Sequence, residues 1–385
     1  MAGVYVHIPF CASFCRYCSF YSERCTDRAT MTQYIEALSG EISLRKRFFV
    51  DAGGKEADAR PTTLYLGGGT PSLLPDDLLA RLVDELRQAF FPESWLEFTL
   101  EANPDDITPT RLALWRQVGV NRLSIGVQSF HDEHLRWMCR RHSAAQAEDA
   151  VRMAREAGFD NISLVLIFGY AGLTDEEWLA DIDRALTLAP EHLSCYQMSV
   201  EEGSTLGDEA AAGAYAPPAQ ETCARQYALL AQRVAAAGFR HYEISNFALP
   251  GRESRHNSAY WRREPYLGLG PGAHSYDGLR TRRWNNSDLV TYLAYYASTA
   301  AVKSESAFDF ETLSDADLAN EKVMLALRTA DGLDLEALSQ EHRAAIAPAL
   351  ERLLTAGRLE RTGSRLRIPP EYFFISDSII SDLFL

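Results

Sequence analysis

Short apolar segments recur along the N-terminal half of the chain, and amphipathic stretches separate them. The segments are rich in β-branched, aromatic and leucine residues, which favour strands. Six of them stand out: Val4–Phe10, Thr63–Gly67, Glu97–Glu101, Arg122–Val127, Asn161–Phe168 and His192–Val200. They are nearly continuous apolar runs, as is typical of parallel strands that are covered on both faces. The pattern therefore predicts six buried parallel strands.

The stretches between these segments carry helix signals at both ends. Helix starts are indicated by a threonine N-cap before proline and by two capping boxes: Thr108–Pro109, Ser143–Gln146 and Thr174–Glu177. Helix ends are indicated by glycines, which tolerate the left-handed conformation found there: Gly119, Gly158 and Gly238. Alternating strands and helices predict an α/β fold, a partial (β/α)6 barrel. In such a barrel the functional residues lie at the C-terminal ends of the strands.

The pattern changes after Gly238. Residues 239–300 are rich in aromatic, Arg, Asn and Gly residues and show no clear period. Helical patterns then cover 314–329, 334–343 and 345–356, and RLERTGSRLRI predicts a hairpin with its turn at Thr362–Gly363. We therefore predict three units: a barrel over 1–238, a segment packed on the barrel over 239–305, and a small helical, winged-helix-like domain over 306–385.

Composition narrows the function classes. The chain has 385 residues, 46% hydrophobic content and a formal net charge of -15. An acidic chain is a poor candidate for binding nucleic acid or an anionic membrane surface. No apolar run approaches the roughly 20 residues of a membrane span, and MAGVYVHIPF lacks the features of a signal peptide. We expect a cytoplasmic protein without an integral membrane segment and without a nucleic-acid partner.

Three of the seven cysteines lie close together after the first predicted strand. Cys11, Cys15 and Cys18 have the spacing C-x3-C-x2-C. Three thiolates can hold three irons of a cubane cluster and leave the fourth iron open. Structural zinc, which prefers four ligands, is the alternative, with Cys25 as the fourth ligand.

The cysteine spacing, with Tyr17 before the last cysteine, resembles the signature of radical S-adenosylmethionine (SAM) enzymes. Further segments, among them LYLGGGTPSLL, LEANPDD, NRLSIGVQSF, RHNSAYW and YLGLGPGAHS, resemble the family of oxygen-independent coproporphyrinogen III oxidase and the heme chaperone HemW. The resemblance implies a radical SAM barrel in which Cys11, Cys15 and Cys18 hold a [4Fe–4S] cluster. It also implies that SAM chelates the open iron.

The same resemblance implies a set of SAM-binding residues: Tyr5, Tyr17, Gly68, Gly69, Thr70, Glu101, Gln128, Arg140 and His274. Taken alone, the glycines could form a simple tight turn, and the tyrosines could be core aromatics. Glu101 could be solvated, and Arg140, expected on the helix after the fourth strand, could be a surface arginine. Two positions depart from the family. Val165 stands where an aspartate that contacts SAM is usual, and Ala171 stands where proline is usual.

Two branches of the family share these cofactors. The oxidase has a fourth cysteine where this chain has Phe20, and it has a longer segment before the first cysteine. The chain also has the H-N-x-x-Y-W motif of the HemW branch, and we expect its residues to contact heme: His256, Asn257, Tyr260 and Trp261. A packed aromatic loop is the alternative to that heme contact.

We therefore predict a HemW-like heme chaperone that carries heme as cargo and has a heme-accepting protein and an electron donor as partners. An oxidase that decarboxylates coproporphyrinogen III is the second hypothesis. A module that binds these ligands without catalysing a reaction is the third.

Overall fold

The computed structural model describes residues 2–52, 60–91, 94–297 and 307–385. Its centre is a twelve-stranded sheet. The strands of this sheet are β1 (Ala2–Ile8), β4 (Pro61–Gly68), β5 (Glu97–Ala102), β6 (Arg122–Gln128), β7 (Ile162–Phe168), β8 (His192–Gln197), β9 (Arg240–Glu243), β10 (Asn246–Ala248), β11 (Tyr266–Leu269), β12 (His274–Tyr276), β13 (Thr281–Asn285) and β14 (Phe308–Thr312). Their order across the sheet is β14-β13-β12-β11-β1-β4-β5-β6-β7-β8-β10-β9. A separate pair is formed by β2 (Phe10–Cys11) and β3 (Glu23–Arg24).

All six predicted strands are present, and β1, β4, β5, β6, β7 and β8 pair in parallel in that order. This is the predicted (β/α)6 unit. The described strands leave the sheet open, because β14 and β9 form its two edges. The first strand begins and ends two residues earlier than predicted, and it stops before Pro9, whose nitrogen has no hydrogen to donate to the ladder.

Helices cover the sheet and connect its parallel strands. They are α1 (Arg28–Arg45), α2 (Phe48–Asp51), α3 (Asp76–Phe90), α4 (Pro109–Val118), α5 (Asp132–Trp137), α6 (Ala144–Glu156), α7 (Asp175–Thr187), α8 (Thr205–Ala211), α9 (Gln220–Ala236), α10 (Arg255–Trp261) and α11 (Leu289–Tyr296). Both predicted capping boxes are formed, at Ser143 and Thr174, and Thr108 caps α4. Gly119 ends α4 with φ 101°, as predicted.

Apolar and polar side chains alternate along the parallel strands more than the sequence pattern suggested. Leucine, valine, isoleucine and phenylalanine side chains at alternate positions are buried in the core, as Leu64 and Leu66 are on β4. The positions between them carry polar or aromatic groups, and the pairing register places Tyr5, Tyr65, Thr99 and Arg122 in one row across β1, β4, β5 and β6. The prediction of nearly continuous apolar strands was wrong for one face, because the inner face of this unit carries polar and aromatic groups.

Residues 239–297 continue the central sheet rather than forming only a loop layer. The antiparallel pair β9–β10 extends it beyond β8, whereas β11 pairs in parallel with β1 and leads into β12 and β13. Short edge strands show no long hydrophobic period, so their sequence did not indicate them. The three-unit division stays a prediction, and its boundary between 305 and 306 lies outside the described residues.

The C-terminal part combines helices with a small sheet, as predicted. Its elements are α12 (Asp315–Leu327), β15 (Leu333–Asp334), α13 (Gln340–Thr355), β16 (Glu360–Thr362), β17 (Arg365–Arg367) and α14 (Ser376–Ser381). The helix predicted over 334–343 is wrong, because that segment holds β15, a 3-10 turn and the start of α13. The hairpin β16–β17 is present, and Gly363 takes φ 63° in its turn.

Within the described ranges, every helix is too short or too polar to cross a membrane.

Candidate functional site

A cavity of about 510 Å³ opens among the parallel strands and the loop that carries the first three cysteines. A volume of this size is usual for a small-molecule site. The residues predicted from sequence that line it are Cys11, Cys15, Tyr17, Cys18, Gly68, Gly69, Thr70, Glu101, Gln128, Arg140 and Asn257. Most of the predicted site is therefore brought together by the C-terminal ends of β4, β5 and β6.

The cysteine loop is held from both sides. Arg16 pairs with Glu209 of α8 at 2.5 Å, and its guanidinium stacks over the Trp137 ring. The Cys11 Sγ lies 3.5 Å from the Thr70 hydroxyl, and Arg140 Nη1 donates to the Cys15 Sγ at 3.2 Å. Burial raises the pKa of the Cys18 thiol to about 11, so a metal must displace its proton to bind there.

Cys25 is placed differently. It is not among the residues that line the cavity, and its thiol donates to the Asp27 carbonyl at 3.8 Å. In the described chain, no group of three or more His, Cys, Asp or Glu side chains is arranged to hold a single metal ion. Thiolates that hold a cubane cluster bind different irons and need not converge on one point. The arrangement of Cys11, Cys15 and Cys18 around one cavity suits such a cluster.

The glycine stretch after β4 brings its backbone close to the cysteine loop. A Cβ on Gly69 would lie 3.0 Å from the Cys11 Sγ and 2.8 Å from the Phe10 carbonyl oxygen. The Gly68 amide donates to Glu101 Oε2 at 3.2 Å, and the Tyr65 hydroxyl donates to Oε1 at 2.7 Å. Burial raises the pKa of the Glu101 carboxyl despite these two donors. The carboxylate is thus fixed in orientation at the end of β5 and faces the cavity.

Gln128 and Arg140 carry unused hydrogen-bonding atoms. Gln128 takes a positive φ of 70°, which is strained for a residue with a side chain, and its Oε1 is buried without a partner in the described structure. Arg140 donates to Asn103 Oδ1 at 2.6 Å and to the Gly126 carbonyl at 2.8 Å, while its Nε has no partner. Arg140 is partly buried and follows α5 in a turn, so placing it on the helix was wrong.

Two predicted SAM residues lie away from the cavity lining. The Tyr5 hydroxyl is hydrogen-bonded to His7 Nδ1 at 3.1 Å. His274 is exposed on β12 and stacks on the Trp284 ring, with the centroids 5.6 Å apart. Their contact with SAM stays a prediction.

The H-N-x-x-Y-W motif forms the short helix α10, which packs against β1 and β4. His256 is 2% exposed, and both its ring nitrogens are occupied. Nδ1 is hydrogen-bonded to the Thr63 hydroxyl and Nε2 to the Tyr260 hydroxyl, each at 2.8 Å. A Cβ on Gly3 would lie 2.9 Å from Nδ1, so the glycine admits the ring. In this arrangement the imidazole stabilises the core through its two hydrogen bonds. The predicted heme contact requires the ring to leave these hydrogen bonds.

Burial lowers the pKa of His256 to about 3, so the ring is neutral at physiological pH. Asn257 is the one residue of the predicted four that lines the cavity within the described chain. The Trp261 Nε1 is buried without a partner among the described residues.

Sequence reasoning missed several side chains that line the cavity from the inner faces of the strands: Tyr65, Arg122, Ser124, Ser194 and Tyr196. The sequence does contain a signal for them, because they occupy every second position of strands whose sequences are largely apolar. Only the pairing register shows that these positions share one face.

Models of two known families match separate parts of the chain. A model of the Radical SAM superfamily matches residues 5–185, and one of the HemN C-terminal domain matches residues 313–374. The protein named heme chaperone HemW from Mycobacterium tuberculosis (strain H37Rv) is 35% identical over 99% of this chain and 94% of its own length. The heme chaperone HemW of Bacillus subtilis is 35% identical over 89% of this chain and 87% of its own. The chain belongs to the HemW family.

The fold of this HemW family member is also that of a solved relative. Coproporphyrinogen III oxidase (HemN) from Escherichia coli, described as a radical SAM enzyme, superposes with a TM-score of 0.79 over 100% of this chain and 90% of its own, at 23% identity. At that identity the likeness shows the fold. The cavity fits the two cofactors of the radical SAM superfamily. Three thiols line it, and the unpartnered Gln128 Oε1 and Arg140 Nε offer an acceptor and a donor to a bound molecule.

One of the two positions that depart from the family lies in this cavity. Val165 lines it, opposite Gly126 of β6 and Ser194 of β8. We expect Val165→Asp to tighten SAM binding roughly tenfold, because one hydrogen bond to a charged group stabilises by about 1.4 kcal/mol or more. Calorimetry on the reconstituted protein measures this change.

Val165→Leu is the matched control, because it changes size without adding an acceptor. Equal or weaker SAM binding by Val165→Asp would contradict the prediction.

Proposed function

We propose that this HemW family member is a heme chaperone. It holds a [4Fe–4S] cluster through Cys11, Cys15 and Cys18, binds SAM beside the cluster, and carries heme to an acceptor protein. We further propose that it works in the cytoplasm and that a partner supplies electrons to the cluster. The observation that carries the proposal is that the cysteine loop and Asn257 of the H-N-x-x-Y-W helix line one cavity. The named HemW relatives, similar over nearly the whole chain, support it.

The proposal assigns a role in binding to the cluster and to the residues that line the cavity. When bound, the cluster supplies an iron with an open coordination position and a source of single electrons. The guanidinium of Arg140 orients a carboxylate. Glu101, held by Tyr65 and Gly68, accepts hydrogen bonds from ammonium or hydroxyl groups. The aromatic groups Tyr17 and Tyr196 give the cavity flat apolar walls.

The oxidase is the second candidate, and the shared fold with HemN favours it. Phe20 argues against it. This residue stands where the oxidase has a further cysteine, and it is 73% exposed beside the cavity. An exposed phenylalanine gives the mouth of the cavity an apolar rim that suits a porphyrin face.

A heme titration tests the proposal. We expect the anaerobically reconstituted protein to bind about one heme per chain, seen as a shifted Soret band. We also expect the bound heme to pass to an apo-cytochrome supplied as acceptor. Incubation with SAM, a reductant and coproporphyrinogen III should give no protoporphyrinogen.

Protoporphyrinogen formation in that incubation would instead support the oxidase. Absence of heme binding by the wild type would overturn the chaperone proposal.

A further inference from the structure

Arg122 is a charged side chain in the interior of the sheet. It is the first residue of β6, is 2% exposed, and lines the cavity. Removing a guanidinium from water costs several kcal/mol unless anions or several acceptors replace the lost hydration. The groups around Arg122 therefore decide what the cavity can bind.

The protein itself satisfies this guanidinium poorly. Nη1 donates to the Thr99 hydroxyl at a long distance of 3.4 Å, and Nε has no partner in the described chain. The two carboxylates on the same face of β5, two residues either side of Thr99, are engaged elsewhere. Glu101 accepts from Tyr65 and Gly68, and Glu97 accepts from the backbone amides of Arg255 and His256. The described structure thus gives this buried cation no direct ion pair, and Glu101 attracts it only from beyond ion-pair distance.

Arg122 lies at the opposite end of β6 from Gln128, the predicted SAM residue on the same strand. It begins β6, whereas Gln128 ends it, and six residues of strand extend roughly 20 Å. Neutral hydrogen-bonding groups line the cavity near the inner faces of the strands: Ser124, Ser194, Tyr196 and Asn257. Its other lining arginines, Arg140 and Arg141, have partners on Asn103, Asp105 and Asp106.

We propose that Arg122 forms a carboxylate-binding subsite at the inner end of the cavity. A carboxylate has the charge and the paired oxygens that a guanidinium binds through two hydrogen bonds. Two molecules could supply it, a porphyrin through its propionates or SAM through its amino-acid carboxylate. The depth of Arg122 favours the porphyrin, and that assignment rests on the proposed function.

The test compares ligands with and without carboxylates on the reconstituted protein. Iron mesoporphyrin carries two propionates, and iron etioporphyrin has the same ring system without carboxylates. We expect Arg122→Gln to weaken iron mesoporphyrin binding tenfold or more and to leave iron etioporphyrin binding unchanged. Arg122→Lys should recover part of the loss. Arg155→Gln is the control and should change neither affinity, because Arg155 is not among the residues that line the cavity and already pairs with Glu191 at 2.9 Å.

SAM affinity, measured by calorimetry on the same variants, identifies the source of the carboxylate. A tenfold loss of SAM binding with unchanged porphyrin binding would support the subsite and assign it to SAM. If wild type binds neither porphyrin, the proposed function fails, and the SAM measurement alone decides the subsite. Equal loss for both porphyrins, or unchanged affinities for all three ligands, would overturn the proposal. If the variants do not fold, the wild type decides the question. Equal affinity for the two porphyrins, together with an affinity for SAM that does not depend on its carboxylate, would then overturn the proposal.

Discussion

Replacing Cys11, Cys15 or Cys18 with alanine is expected to abolish the visible absorption of the reconstituted protein and most of its bound iron. Each thiolate holds one iron of a cubane cluster, so losing one leaves a second iron without a protein ligand. The wild type should hold about four irons and four sulfides per chain, as such a cluster requires. Anaerobic reconstitution, followed by iron and sulfide determination and an absorption spectrum, measures the effect.

Two cysteines outside the motif serve as controls. Cys139 lines the same cavity but is not part of the three-cysteine spacing, and Cys25 lies near the loop with its thiol on the Asp27 carbonyl. Cys139→Ala and Cys25→Ala should both keep the full spectrum. If Cys25→Ala removes the absorption as completely as Cys18→Ala does, a fourth protein ligand holds the metal and the open-iron arrangement is wrong.

Replacing His256 with alanine is expected to lower the free energy of unfolding by about 2–4 kcal/mol. The imidazole is buried, and its loss leaves a cavity and removes the hydrogen bonds to the Thr63 and Tyr260 hydroxyls. Thr63 is fully buried, so in the wild type its hydroxyl has the imidazole rather than solvent as its partner. Chemical denaturation followed by far-UV circular dichroism measures the difference.

Two further variants distinguish a stabilising role of His256 from a role in heme binding. His256→Gln keeps a donor and an acceptor and should be less destabilised than the alanine variant. Asn257→Ala removes the motif side chain that lines the cavity, and its stability should remain near that of wild type. A His256→Ala protein that keeps wild-type stability but no longer binds heme would contradict the stabilising role and would support His256 as a heme ligand.

The features that could be predicted from the sequence depend on short spacings. The six parallel strands, the capping boxes at Ser143 and Thr174 and the glycine end of α4 follow from residues within one turn or one strand. The spacing of Cys11, Cys15 and Cys18 is local in the same sense, and so is the glycine stretch after β4. Local steric and hydrogen-bonding preferences determine such features, so one sequence is enough to find them.

Tertiary structure decided which side chains share an environment. The sequence shows Arg122 as the first residue of an apolar segment, and only the register with Thr99 places it in a polar interior. His256 has the sequence context of a heme ligand, but packing against Thr63, 193 residues away in the chain, occupies its ring. The strands β9 to β13 are short, and β10 and β11 join the central sheet by pairing with β8 and β1. These outcomes depend on burial and on partners distant in sequence, which local propensity does not determine.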